Sequence, residues 1–193
     1  MVSKDIQRAR ALEKIAAHVL ANGLAKTSLR QLAAAAGISD RMLLYYFKDK
    51  ADVMASALVL LLSELQGTLN AALPDTGKQA PSELFSAALE LVRGETMRPY
   101  MALWLEIAAQ SARGDGLARM LGNQIVTGFQ AWFAARLDIA DPERRDEVAA
   151  ALLVAVDGAS LVDFASDAQA TDLAAGTLAA MLTRIETGPP RSS

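Results

Sequence analysis

The chain has 193 residues, 52% hydrophobic and 21% charged, too apolar and too weakly charged for a disordered polypeptide and long enough for one domain or a small domain joined to a larger one. The absence of cysteine excludes a disulfide scaffold, a thiolate nucleophile and a cysteine-bound metal, and the single histidine, His18, excludes a two-histidine metal site within one chain. The net charge of −3 hides an uneven distribution: residues 1–50 hold nine Lys/Arg against four Asp/Glu, while residues 51–193 hold ten against eighteen. A basic head on an acidic body suits phosphate attraction, which screening confines to roughly 8–10 Å at physiological salt, although the same pattern also fits a merely solvated helical face.

Alanine occurs 39 times against 26 Val, Ile and Thr together, which favours an all-α fold. Residues 4–22 predict an amphipathic helix with Ile6, Ala9, Leu12, Ile15, Ala16, Val19 and Leu20 on one stripe, stopped by Asn22-Gly23. Thr27 or Ser28 caps a short helix through Ala36, Gly37 breaks it, and Ser39 caps a third over Asp40 to Phe47. A fourth runs from Lys50 to Leu73, followed by the polar loop Pro74–Pro81. Further helices are predicted over 82–95, 98–113, 117–137, 142–167 and 171–186, about nine in all. The boundaries expected are a head at 1–50, a body at 51–188 and a disordered tail at 189–193. The longest wholly apolar run, Ala149–Val156, is far short of a membrane span, and the polar start Met1–Arg10 is unlike a secretory signal. The expectation is a cytoplasmic protein without a membrane partner.

The segment TSLRQLAAAAGISDRMLLYYF, 27–47, carries the sharpest signal. Two short helices meet at Gly37; Leu29, Leu32, Ala33, Ile38, Leu43 and Phe47 face inward, leaving Asp40, Arg41, Met42, Leu44 and Tyr45 outward or at the rim. A helix of that size fits the roughly 12 Å major groove and reads base edges with its N-terminal residues. Ser39 opens this helix, Arg41 is its only basic residue and the natural partner of a guanine, and Thr27, Ser28, Tyr46 and Lys50 are placed to clamp phosphates.

On these residues the chain resembles the TetR family of transcriptional regulators: Asn22-Gly23-Leu24, TSLRQLA, AGIS and the run Tyr45 to Lys50, with weaker likeness over 98–116 and 150–163. The resemblance implies a homodimeric repressor whose head binds a palindromic double-stranded operator and whose C-terminal helices hold a small, largely apolar effector. Carried over, it puts Thr27, Ser28 and Arg30 where the second helix meets DNA, Asp40, Arg41, Met42, Leu44 and Tyr45 on the reading surface, and Tyr46 and Lys50 at phosphates. The family often has a small residue where Arg41 stands and a tyrosine where Leu44 stands, so the operator sequence is not transferable.

In the body, the small residues Ala151, Ala155, Gly158 and Ala159, with Val162, Leu178, Met181, Leu182 and Ile185, are expected to form a dimer interface. The aromatic and aliphatic set Leu58, Leu62, Phe85, Leu89, Met101, Trp104, Leu105, Phe129 and Phe133 reads either as core or as a pocket lining, with Glu106, Gln110, Asn123 and Asp157 as polar handles. Asp157 in VAVDGAS suits a cap, a bond across the dimer or a ligand contact equally. No nucleophile, base and orienting group are spaced as a catalytic set, so no enzyme, cofactor or metal is expected. The alternatives are an architectural DNA-binding dimer without a ligand, an activator of the same fold, and a small all-helical enzyme using Glu106 and Asp157.

Overall fold

A computed structural model describes residues 4–74 and 77–187, with the side chains of 185–187 outside the description; the tail expected at 189–193 therefore lies outside the described residues, as does the side chain of Ile185. Among the described residues nine α-helices follow in order: α1 (Lys4–Asn22), α2 (Leu29–Ala36), α3 (Asp40–Tyr46), α4 (Lys50–Ala72), α5 (Pro81–Arg93), α6 (Arg98–Ala112), α7 (Gly116–Arg136), α8 (Pro142–Ala165) and α9 (Gln169–Thr187), with a 3-10 turn at Leu24–Lys26. No strand occurs among the described residues, so the all-α expectation holds. Several helix ends fall where punctuation residues place them. Pro81 and Pro142 occupy the first turns of α5 and α8, where a missing N–H costs nothing.

By packing the chain forms two compact units, Met1–Leu69 with Pro99–Asn123, and Asn70–Arg98 with Gln124–Ser193. In the first, Ala11, Ile15, Ala16 and Val19 of α1 are buried with Leu32, Ala33 and Ala36 of α2, Leu43 of α3, Phe47 and Val53. The stripe expected on α1 holds over this stretch. Ile6 and Ala9, nearer its amino end, are exposed.

In the second unit, Leu84, Phe85, Ala88 and Leu89 of α5 pack with Phe133 and Leu137, with Val148, Ala149, Leu152, Leu153 and Val156 of α8, and with Leu182 of α9. Arg93 clamps this unit: its guanidinium meets Asp163 at 2.8 Å and Asp172 at 2.9 Å and donates to Thr171 Oγ1 at 2.6 Å, tying α5 to α8 and α9. The bond to Asp163 holds the Arg93 pKa above its ordinary value against the opposing effect of burial.

A second cation is almost wholly enclosed. Arg136, at 3% exposure, donates to Leu73 O at 2.9 Å, Trp132 O at 3.1 Å and Asn70 Oδ1 at 2.8 Å, and its guanidinium lies 4.0 Å from the Trp132 ring centroid. It ties the carbonyl just past α4 to the last turn of α7. Beside it Gln79 and Leu137 form an isolated parallel bridge, with Gln79 N donating to Arg136 O and Asp138 N to Gln79 O, each at 2.8 Å. Arg136→Met keeps the alkyl stem and removes the donors. It is expected to destabilise the protein by about 2–3 kcal/mol, read as a fall in urea midpoint without a change in slope.

Candidate nucleic-acid interface

The turn between α2 and α3 is fixed by local chemistry. Ser28 caps α2 reciprocally with Gln31: the Ser28 oxygen accepts from Gln31 N and Gln31 Oε1 accepts from Ser28 N. Gly37 follows at φ 73°, ψ 31°, in the left-handed region that favours glycine; its N–H reaches Ala34 O and the Ile38 N–H reaches Ala33 O, each at 3.0 Å. Ser39 then caps α3, its oxygen accepting from Met42 N at 3.2 Å.

The result is a short helix held by one side. Leu43 and Phe47, four residues apart, are buried. Ser39, Asp40, Arg41, Met42, Leu44 and Tyr45 are exposed, Tyr45 by 59%. Such a row of large side chains outside a fixed helix is costly in water unless it has a use. α1 braces α3 from behind. Arg8 Nε donates to Tyr46 O at 3.3 Å with its guanidinium 4.6 Å from the Phe47 ring centroid, and Lys4 Nζ stands 4.2 Å from the Tyr45 ring centroid.

The flanking residues divide. Ser28, Arg30, Lys48 and Lys50 are exposed. Tyr46 is half-buried, its hydroxyl donating to Gln7 Oε1 at 2.7 Å. Thr27 departs from its expected place at a phosphate: it is buried, and its hydroxyl donates to Leu24 O at 2.6 Å. The 3-10 turn folds over it, because Ser28 rather than Thr27 supplies the helix cap.

Within this same unit lies a cavity of about 370 Å³. Leu24 and Thr27 line it from the head, Lys50, Ala51, Met54 and Leu58 from α4, Ile107 and Gln110 from α6, and Asp115, Leu117, Ala118 and Leu121 at the start of α7. Glu106 on α6 accepts from Leu24 N at 2.6 Å. At the start of α6, burial and then the Glu64 charge hold the Tyr100 phenol above its ordinary pKa.

Of the expected pocket residues, Leu58 and Gln110 line this cavity. Leu62, Met101, Trp104 and Leu105 are half-buried and lie outside its lining. Phe85, Leu89 and Phe133 are core residues of the second unit and Phe129 packs against them, so the aromatic set is chiefly core there. Asp157 is half-buried and has a partner. The cavity-lining Leu24, Met54, Ile107 and Leu121 were not anticipated; Leu24 sits in the 3-10 turn and the other three on helices whose apolar spacing does not separate a wall from a core.

The expected dimer residues also divide. Ala151, Gly158, Val162 and Met181 are exposed. Leu182 belongs to the core of the second unit, and Ala155, Ala159 and Leu178 pack against it. Small side chains on α8 therefore serve close packing within the chain as well as its outer surface.

Residues 14–57 match the family described as bacterial regulatory proteins, tetR family. Among curated proteins none matches. Among solved structures, a transcriptional regulator from Rhodococcus sp. Rha1 is similar at 24% identity and a TM-score of 0.70, over 94% of this chain and 96% of that one. A tetR-family regulator from Cytophaga hutchinsonii is similar at 16% identity and a TM-score of 0.73, over 95% and 96%. A putative transcriptional regulator from Saccharomonospora viridis, in complex with choline, is similar at 20% identity and a TM-score of 0.65, over 95% and 97%. Residues 14–57 thus match the tetR family of bacterial regulatory proteins, and over 94–95% of its length the chain has the fold of these solved structures.

Proposed function

We propose that the protein is a homodimeric repressor that binds a palindromic operator through α3 and is released by a small ligand. The observation that carries this is α3 itself: Leu43 and Phe47 fix it from one side while Arg41, Met42, Leu44 and Tyr45 stand exposed on the other. Ser28 and Arg30 before it and Lys48 and Lys50 after it are exposed polar or cationic groups, suited to phosphates on either flank. The reading residues are Ser39, Asp40, Arg41, Met42, Leu44 and Tyr45, with Tyr46 and Lys50 at the backbone and Thr27 acting only through the turn it fills.

The pairing is supported by α8. By length and composition alone, α4 and α8 are apolar enough to cross a bilayer. In α4 seven apolar residues from Val53 to Leu69 are buried. In α8 one side is core, but Ala151, Val154, Gly158, Leu161 and Val162 form an exposed stripe at helical spacing, and Leu173 and Met181 of α9 are exposed as well. A helix apolar on both sides suits burial between two bodies, and a second copy supplies the other one. Two heads related by a two-fold axis read half-sites one helical turn, about 34–36 Å, apart. An effector that favours the wrong head spacing tenfold to a hundredfold supplies about 1.4–2.7 kcal/mol of coupling. The choline complex of the Saccharomonospora viridis protein is a precedent for a small ligand on this fold. The absence of strong charge from α3 apart from Asp40 and Arg41 argues for base reading over purely electrostatic binding, which disfavours an architectural role.

Selection of bound duplexes from a random pool tests the reading. A palindrome is expected. Arg41→Ala should relax one base position in each half-site, at about 1–3 kcal/mol per contact. A pool without symmetry, or unchanged preferences in Arg41→Ala, overturns it.

A further inference from the structure

We propose that Lys4 and Gln7, at the amino end of α1, hold DNA backbone phosphates beside the reading helix, and that Tyr45 and Tyr46 of α3 position them there. This contact deepens the operator reading above and rests on it for the placement of α3 in a groove.

The side chains at this end carry it. Residues 4–7 are all exposed, so α1 begins clear of the core that its later turns enter. The Lys4 ammonium stands 4.2 Å from the centroid of the Tyr45 ring, which is itself set edge-on to the Tyr46 ring at 5.5 Å. The ring attracts the charge without consuming an N–H, and Lys4 has no hydrogen bond or ion pair among the described residues, so its three donors are left for an acceptor. Asp5, the acid next in sequence, lies about 100° further round the helix.

Gln7 is three residues on, a neighbour of Lys4 on the helix surface. Its Oε1 accepts from the Tyr46 hydroxyl at 2.7 Å. That bond takes the one proton of the phenol, which keeps only lone pairs, and it fixes the Gln7 carboxamide by its oxygen, with both N–H donors unspent. A phosphate oxygen only accepts, so the carboxamide rather than the phenol is equipped to meet it, and Tyr46 serves the backbone through Gln7. Arg8 differs. It is half-buried and spent within the head, on Tyr46 O at 3.3 Å and Ser56 Oγ at 3.4 Å, where it sets α1 against α3. Tyr45 is the last of the exposed row on α3, which puts Lys4 at the edge of the reading face. With α3 in the major groove, that edge meets the phosphates that border the groove.

The test is the salt dependence of binding, read by fluorescence anisotropy of the full chain on two labelled duplexes: the palindrome recovered by selection, and a mixed-sequence duplex of about three helical turns. Lys4→Gln is expected to make the slope of log affinity against log salt shallower by about 0.9 for each head bound, on both duplexes alike, and Lys4→Arg to keep the original slope. Gln7→Ala removes a neutral donor and should weaken binding about threefold or more with the slope unchanged. Tyr46→Phe should weaken binding to a similar extent. The Gln7→Ala, Tyr46→Phe pair should bind no more weakly than Gln7→Ala alone, because the hydroxyl acts only through the carboxamide. If Tyr46→Phe fails to fold, the Lys4 and Gln7 comparisons decide alone. An unchanged slope in Lys4→Gln, undiminished binding by Gln7→Ala, or additive losses at Gln7 and Tyr46 overturns the contact. The operator reading is scored separately by the duplex selection. A chain that selects no palindrome but shows a Lys4-dependent slope on the mixed duplex keeps the contact and removes the operator; a selected palindrome bound with the same slope by Lys4→Gln does the reverse.

Discussion

Val154→Asp is expected to leave the protein folded but monomeric, and to lower its affinity for a palindromic operator by about a hundredfold or more. Val154 is 71% exposed on the α8 stripe, so the substitution removes little packing within the chain and changes folding stability by only about 0.5 kcal/mol. Its effect falls on association. A carboxylate placed on a face that another copy covers must lose its hydration without a partner, and symmetry brings two such carboxylates to one interface. Loss of the dimer removes the tethering of the second head, and avidity of this kind is worth about 10²–10⁴ in affinity. Leu173→Asp on α9, 74% exposed, should act in the same direction. Val59→Asp is the control: it makes the same chemical change at a 55% exposed site on α4, off the stripe, and should leave the dimer intact. Sedimentation velocity reads the state of assembly and circular dichroism the fold. A folded Val154→Asp dimer would remove α8 from the interface.

The contrast between the two ends of the chain shows what a sequence can carry. The turn between α2 and α3 was legible because its geometry is written in local chemistry: Ser28 with Gln31, Gly37 at positive φ and Ser39 over Met42 each fix a helix end without help from distant residues. Leu43 and Phe47, four apart, then decide which side of α3 is outward. The cavity was not legible in this way. Leu58 and Gln110 were anticipated, but Phe85, Leu89 and Phe133 have the same apolar character and are core. Composition records that a side chain avoids water and is silent on whether atoms or a void lie opposite. The dimer face was half legible for the same reason. Gly158 and Ala159 are adjacent small residues on α8, yet one is exposed and the other packs on the core, a difference set by where α5 and α9 lie. Arg136 and the Gln79–Leu137 bridge escaped altogether, since each joins segments more than fifty residues apart and neither alters a hydrophobic period.

Gly23→Ala is expected to be the most destabilising single-methyl change in the head, by about 3 kcal/mol or more, from two separable causes. Gly23 sits at φ 71°, ψ −173°, a region that is essentially closed to residues with a Cβ and costs them about 1–3 kcal/mol. A Cβ built there also lies 2.2 Å from Glu106 Oε1. The carboxylate is the movable party, but moving it breaks the 2.6 Å bond it accepts from Leu24 N, a charge-assisted contact worth about 1.5–3 kcal/mol. A double-mutant cycle separates the two. Glu106→Ala alone should lose only the hydrogen bond. The Gly23→Ala, Glu106→Ala pair should fall short of the sum of the singles by the worth of that bond, because the methyl has already removed it. Additive losses in urea denaturation would mean that the methyl leaves Glu106 undisturbed and that backbone strain accounts for the whole effect. The same pair bears on the cavity. Glu106 is on α6 beside Ile107 of the cavity wall, and Leu24 is both its hydrogen-bond donor and a lining residue. Glu106→Ala should therefore loosen the turn that roofs the cavity, and amide exchange at Leu24 should rise in that variant while exchange along α3 stays unchanged. Unaltered protection at Leu24 would show that the turn is held by Thr27 and the cavity wall without the carboxylate.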